Sequence, residues 1–201
     1  MYQIPDIAVT YNEHCSSDPF QEFADVVRVE SLRLVVCPIP DSSANACIEW
    51  FMIPLAGAVF FAKSYFDGFL KEAGREHYQG LKKSLAHLTK GVMSKQQIMP
   101  ELISTPGKVH SNNPYSLAFS VYAEANDGNW FKLLLAKPSE IEDYTEIVDK
   151  FLEFINDFYS GIKFLGDIGF DEGTPPPSHH IFVHVNKETK QIEWINVRRF
   201  L

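Results

Sequence analysis

Cysteine is scarce in this chain: Cys15, Cys37 and Cys47 are the only three, and no two stand at CxxC spacing. An odd number without that spacing argues against a disulfide framework and a cysteine-rich zinc site, and fits a reducing compartment. No segment reads GxxxxGK[S/T] or GxGxxG, so no glycine loop is built to let backbone N–H groups reach a phosphate. No GxSxG raises a serine on a nucleophile elbow. Glu76-His77 sits in an expected helix, but no second histidine follows at metalloprotease spacing, which excludes a zincin. Nothing interleaves basic clusters with surface aromatics, so no nucleic acid partner is expected. No motif calls for a cofactor or a metal, and the chain is read as non-catalytic.

Long apolar runs are also missing. The longest candidate, Phe51–Ala62, is bounded by Glu49 and Lys63, and its dozen residues fall short of the roughly 20 that cross a bilayer. It reads as a buried core element, and no membrane is expected. The opening MYQIPDIAVTYNEH has no basic stretch ahead of an apolar one. No signal peptide is expected, and the cytoplasm is the expected compartment.

What is present is an ordinary globular composition. Of 201 residues, 45% are hydrophobic and 13% aromatic, enough apolar surface to offset the entropy of ordering the chain in a single domain spanning 1–201. Tyr2–Tyr11 alternates loosely and could form an edge strand, where Pro5 is tolerable. Pro19–Val27 could be a short helix. The β-branched Ser31–Ile39 reads as a strand, paired with a second at Cys47–Ile53 across the polar DSSANA. Pro54 suits a first helical turn. From there Leu55, Val59, Ala62, Phe66, Phe69, Leu70 and Ala73 recur at three and four residues, predicting a long helix over 54–90 with a bend at Gly74 or Gly80.

Tyr115–Ala125 alternates cleanly, Asn126-Asp127-Gly128-Asn129 favours a tight hairpin, and Trp130–Lys137 returns. A second helix is expected over 139–160, with Ile141, Tyr144, Val148, Phe151, Leu152, Ile155 and Tyr159 inward. Gly173–Pro177 reads as a stiff spacer before a last hairpin, His180–Val185 with Gln191–Val197. Ile-Glu-Trp occurs at 48–50 and again at 192–194, a pattern a degenerate duplication would leave. The expected fold is α+β: an antiparallel sheet of about six strands in three hairpins, with two main helices packed on it.

Charge is the strongest signal. From Pro138 to Glu172 ten acids face only Lys150 and Lys163, and the sixteen acids and sixteen bases elsewhere cancel, so this segment carries the whole net charge of −8. Glu142, Glu146, Asp149, Glu153 and Asp157 step by three or four, one stripe expected to point outward, continued in the following loop by Asp167, Asp171 and Glu172. Such spacing does not help its own helix. Solubility explains it simply. The sharper expectation is a docking surface for a basic protein partner, in the manner of an acidic immunity-type inhibitor that neutralises a basic toxin or nuclease. On that reading, replacing Glu146, Asp149 and Glu153 with lysine should cut binding and leave folding intact.

The alternative reading is a small-molecule enzyme or ligand-binding domain, its pocket between sheet and helices drawing on His77, Tyr78, Glu124, His180 and His184. His180 and His184 on one strand face are ~13 Å apart, too far to chelate one ion unaided. His14-Cys15 is too local for an activated thiolate, and Asp167, Asp171 and Glu172 more commonly make a solvated loop than a cation site.

Overall fold

The computed structural model describes residues 4–40, 54–94, 114–139 and 143–197. Its strands are β1 (Ile7–Asn12), β2 (Leu34–Ile39), β3 (Gly57–Phe61), β4 (Phe119–Glu124), β5 (Trp130–Leu133), β6 (His180–Val185) and β7 (Ile192–Trp194). The helices are α1 (Asp18–Val27), α2 (Leu70–Ser94), entered through a π-helical turn at Tyr65–Phe69, and α3 (Tyr144–Tyr159).

The seven strands form one sheet in the order β2-β1-β3-β4-β5-β6-β7. Parallel pairs (β1–β2, β3–β4, β5–β6) alternate with antiparallel ones (β1–β3, β4–β5, β6–β7). This corrects the expected fold: among the described residues the sheet is mixed rather than purely antiparallel and seven-stranded rather than six, with four helices counting the π-helical turn and leaving aside two short 3-10 turns. Parallel neighbours need a crossover rather than a tight turn, and α1, α2 and α3 each lie in one. β1 and β5 point the same way, yet their crossovers step in opposite directions across the sheet. With α1 and α3 on one face, the two crossovers have opposite hands, so one is the rare left-handed form.

Other expectations hold or shift in detail. α1 falls where expected, burying Phe20, Phe23, Ala24 and Val27 at helical spacing. The hairpin β4–β5 turns through Asp127 and Gly128, both at positive φ, and β6–β7 is the expected last hairpin. β1 is internal, between β2 and β3, not an edge; among the described residues the edge on that side is β2, where Pro38 lacks the N–H a central strand would need. The expected strand 47–53 lies outside the described residues. The helix expected from Pro54 begins only after β3, because Gly57–Phe61 is a strand in mid-sheet. The bend falls at Gly74, whose φ of 78° and ψ of −179° interrupt the helix.

Two rows of side chains define the faces. Val9, Val59, Val121, Leu133 and Val183 stand side by side across five strands, each fully buried beneath the helices. Phe20 and Phe23, Leu81 and Leu85, and Phe151 and Leu152 close over them from α1, α2 and α3. Each such burial contributes roughly 1.5–3 kcal/mol, more than a surface ion pair, so this layer carries the fold. On the opposite face Ala8, Phe60, Tyr122, Lys132 and Phe182 form the neighbouring row, and Tyr115, Leu134, Phe182, Ile195 and Val197 make a smaller apolar cluster. At the sheet's other end, buried Asp6 accepts hydrogen bonds from the Arg33 backbone and guanidinium and from the Ser64 hydroxyl. It ties β1 to the approaches of β2 and α2.

Candidate functional site

The acidic helix starts at Asp143, whose carboxylate accepts hydrogen bonds from the backbone N–H groups of Thr145 (3.0 Å) and Glu146 (3.3 Å). Val148, Phe151, Leu152 and Ile155 take its inner face to the sheet, which sets the acids along the remaining arc. Glu142 lies outside the described residues. Glu146 receives the Lys190 ammonium at 2.8 Å. Asp149 and Glu153 do not simply face water: Lys82 of α2 reaches between them, its Nζ 3.5 Å from Asp149 Oδ2 and 3.1 Å from Glu153 Oε1. Lys82 is only 7% exposed, with its ammonium 5.7 Å from the centre of the Tyr78 ring.

Three acids of the stripe are therefore paired with lysines of this chain, so lysines at 146, 149 and 153 are expected to disturb folding as well as binding. They would strand a buried ammonium among like charges. Glu153, Asp157 and Asp167 line one cleft of ≈ 240 Å³ with Lys150, Lys163 and Lys190. Asp167 also accepts the Phe164 N–H at 2.8 Å. Asp171 accepts from the Thr174 hydroxyl (2.7 Å) and the Gly173 N–H (3.0 Å), and the Thr174 bond above all holds its carboxyl below the usual range. Glu172 is exposed beside it.

Sequence reasoning missed the apolar part of this region. The turn leaving α3, with Gly161 at φ 71°, presents Ile162 at 64% exposure and Phe164 at 63%. No other aromatic side chain among the described residues is as exposed. The signal was available as Ile162-Lys-Phe164 in a polar loop, with no periodicity to bury it.

The five alternative pocket residues do not converge. His77 and Tyr78 belong to α2 on the helical side; His77 lies 6.2 Å from the Tyr65 ring, and burial lowers its pKa. Burial, then the charges of Glu153, Asp149 and Asp157, raise that of Tyr78. Glu124 ends β4, its carboxylate accepting the Lys63 N–H at 2.8 Å and its carbonyl accepting the Tyr159 hydroxyl. His180 and His184 alternate with the core residues Ile181 and Val183, so they point to the other face of the sheet. There the His180 ring is 5.7 Å from Tyr122, and His184 Nδ1 is 3.1 Å from the Tyr115 hydroxyl. Burial lowers both histidines' pKa, reinforced at His180 by Lys132 and opposed at His184 by Glu193.

Lys132 is the buried charge that the sequence reading passed over. It is 2% exposed, with its ammonium 5.1 Å from the Tyr122 ring centre and 6.0 Å from that of Phe182, and burial pushes its pKa down to about 7. Its signal was one lysine inside the otherwise apolar run Trp130–Leu135. Among the described residues no group of three or more His, Cys, Asp or Glu could hold a metal ion, and no helix is long and apolar enough to cross a membrane. Compared with family models, curated proteins and solved structures, the chain has no significant match.

Proposed function

We propose that this protein is a non-catalytic, cytoplasmic binding module that docks a basic protein partner through the C-terminal end of α3 and the loop after it. The observation that carries the reading is Phe164 with Ile162, both more than 60% exposed, in a loop flanked by Asp157, Asp167, Asp171 and Glu172. A large aromatic and a branched aliphatic side chain held out by a capped turn can fill a partner's pocket, and the acids around them form a charged rim. Such a rim speeds encounter with a basic surface and disfavours nucleic acid. The pairing of Glu146, Asp149 and Glu153 with lysines of this chain moves the proposed surface toward Asp157 and beyond. An acidic inhibitor that neutralises a basic toxin or nuclease is the concrete form that suits this chemistry.

The test is capture from the native cell with immobilised chain, side by side with Phe164→Ala and Asp157→Lys/Glu172→Lys variants. These side chains make no hydrogen bond or ion pair among the described residues, so folding should survive and circular dichroism should confirm it. The reading expects a basic protein retained by the parent and lost from both variants. A partner held equally by all three would refute this surface.

A further inference from the structure

Away from that loop, a shallow groove of ≈ 610 Å³ lies between α1 and α2. We propose that it is the interface of a two-fold homodimer, filled by the same groove of a second copy of this chain. The groove is independent of the acidic loop. α1 packs on β1 and β2, α3 on β6 and β7, and α2 between the two helices, so groove and α3 lie on opposite flanks of α2.

Helical spacing makes the groove. Phe20, Phe23, Ala24 and Val27 take one face of α1 to the core, which leaves Glu22, Asp25 and Val26 outside it. On α2, Leu81, Leu85 and Leu88 are buried, while Lys83 and His87, four apart, are exposed. Phe23 and Leu88 close the bottom, and Val26 stands beside them at 62% exposure. A Cβ at Gly80 would meet no atom within 4 Å, so the α2 backbone there is open to close approach by another chain.

Charge selects the occupant. Glu22 and Asp25 on α1 form an acidic wall, and Lys83 and His87 on α2 a basic one. All four are exposed, and none makes a hydrogen bond or ion pair among the described residues. In a two-fold interface residue i meets j and j meets i. Under that rotation the acids of one copy face the bases of the other on both sides, with the apolar centres between them. A foreign partner would need both walls in matching order, which a second copy carries by symmetry. Long-range repulsion does not oppose this, because the net charge of −8 belongs to residues 138–172. Those charges sit on the far flank and are screened over roughly 10 Å. Such a dimer leaves both acidic loops free.

Analytical ultracentrifugation of the full chain from about 1 to 200 µM tests this, with a monomer–dimer equilibrium of micromolar Kd expected. Reversing the acids (Glu22→Lys/Asp25→Lys) or the bases (Lys83→Glu/His87→Glu) should each weaken it at least about tenfold, because like charges then meet in both pairings. An equimolar mixture of the two variants should associate as the parent does, one copy being basic on both walls and the other acidic. Val26→Ser should weaken the dimer through the apolar centre alone. The changed side chains are all exposed, so each variant should keep the parent's circular dichroism. The proposal is overturned if the parent stays monomeric at about 200 µM, if any of the three variants dimerises as the parent does, or if the two charge variants, both folded, fail to associate when mixed.

Discussion

Gly57 shows how one residue can be fixed by its surroundings. A Cβ there would lie 2.5 Å from the Thr10 carbonyl oxygen and 2.7 Å from the Phe20 ring, so β3 can pass beneath α1 only without a side chain. Gly57→Ala is expected to cost about 1–3 kcal/mol in urea denaturation; an unchanged midpoint would mean the contact can relax freely. Lys132 gives a prediction in pH. Its folded pKa of about 7 lies below the ordinary lysine value of 10.5, so between the two the unfolded chain binds more protons. Stability therefore rises with pH across that window, and the penalty of burying the charge is felt in full below pH 7. Denaturation at pH 7 and pH 9 should show the rise in the parent, and Lys132→Met should flatten it. An equal rise in both would assign the slope to other groups.

At the scale of elements, Lys82 joins α2 to α3, and its carboxylate partners lie about seventy residues away along the chain. Changing Glu146, Asp149 and Glu153 together to lysine is expected to lower stability by about 2 kcal/mol, discounted because Asp149 and Glu153 are partly exposed. Equal stability by chemical denaturation would show that Lys82 finds water instead. That link could not be read from sequence, because spacing along α3 shows which residues share a face but not what covers it. The same limit explains the sheet. α1, α3 and the β4–β5 and β6–β7 hairpins were legible because helical periodicity, the Asp-Gly turn and strand alternation are local. β3 was not: Gly57–Phe61 is apolar on both faces in mid-sheet, and its residues also fit a helical period when read on into Ala62 and Phe66. The parallel pairs were hidden too, since each joins strands separated by a whole helix.

For the whole molecule, charge and topology come together at one end of α3. The acidic excess was visible in composition, but the exposed Phe164 and the lysines that pair with Glu146, Asp149 and Glu153 emerge only when distant elements meet. The central claim is that Phe164 and its acidic rim bind a basic partner. Its most direct measurement is the affinity of the captured partner for the parent and for Asp157→Lys/Glu172→Lys, each at low and at high salt. The account predicts that charge reversal weakens binding at least about tenfold and that salt weakens the parent more than the variant. Equal affinities with equal salt dependence would contradict it.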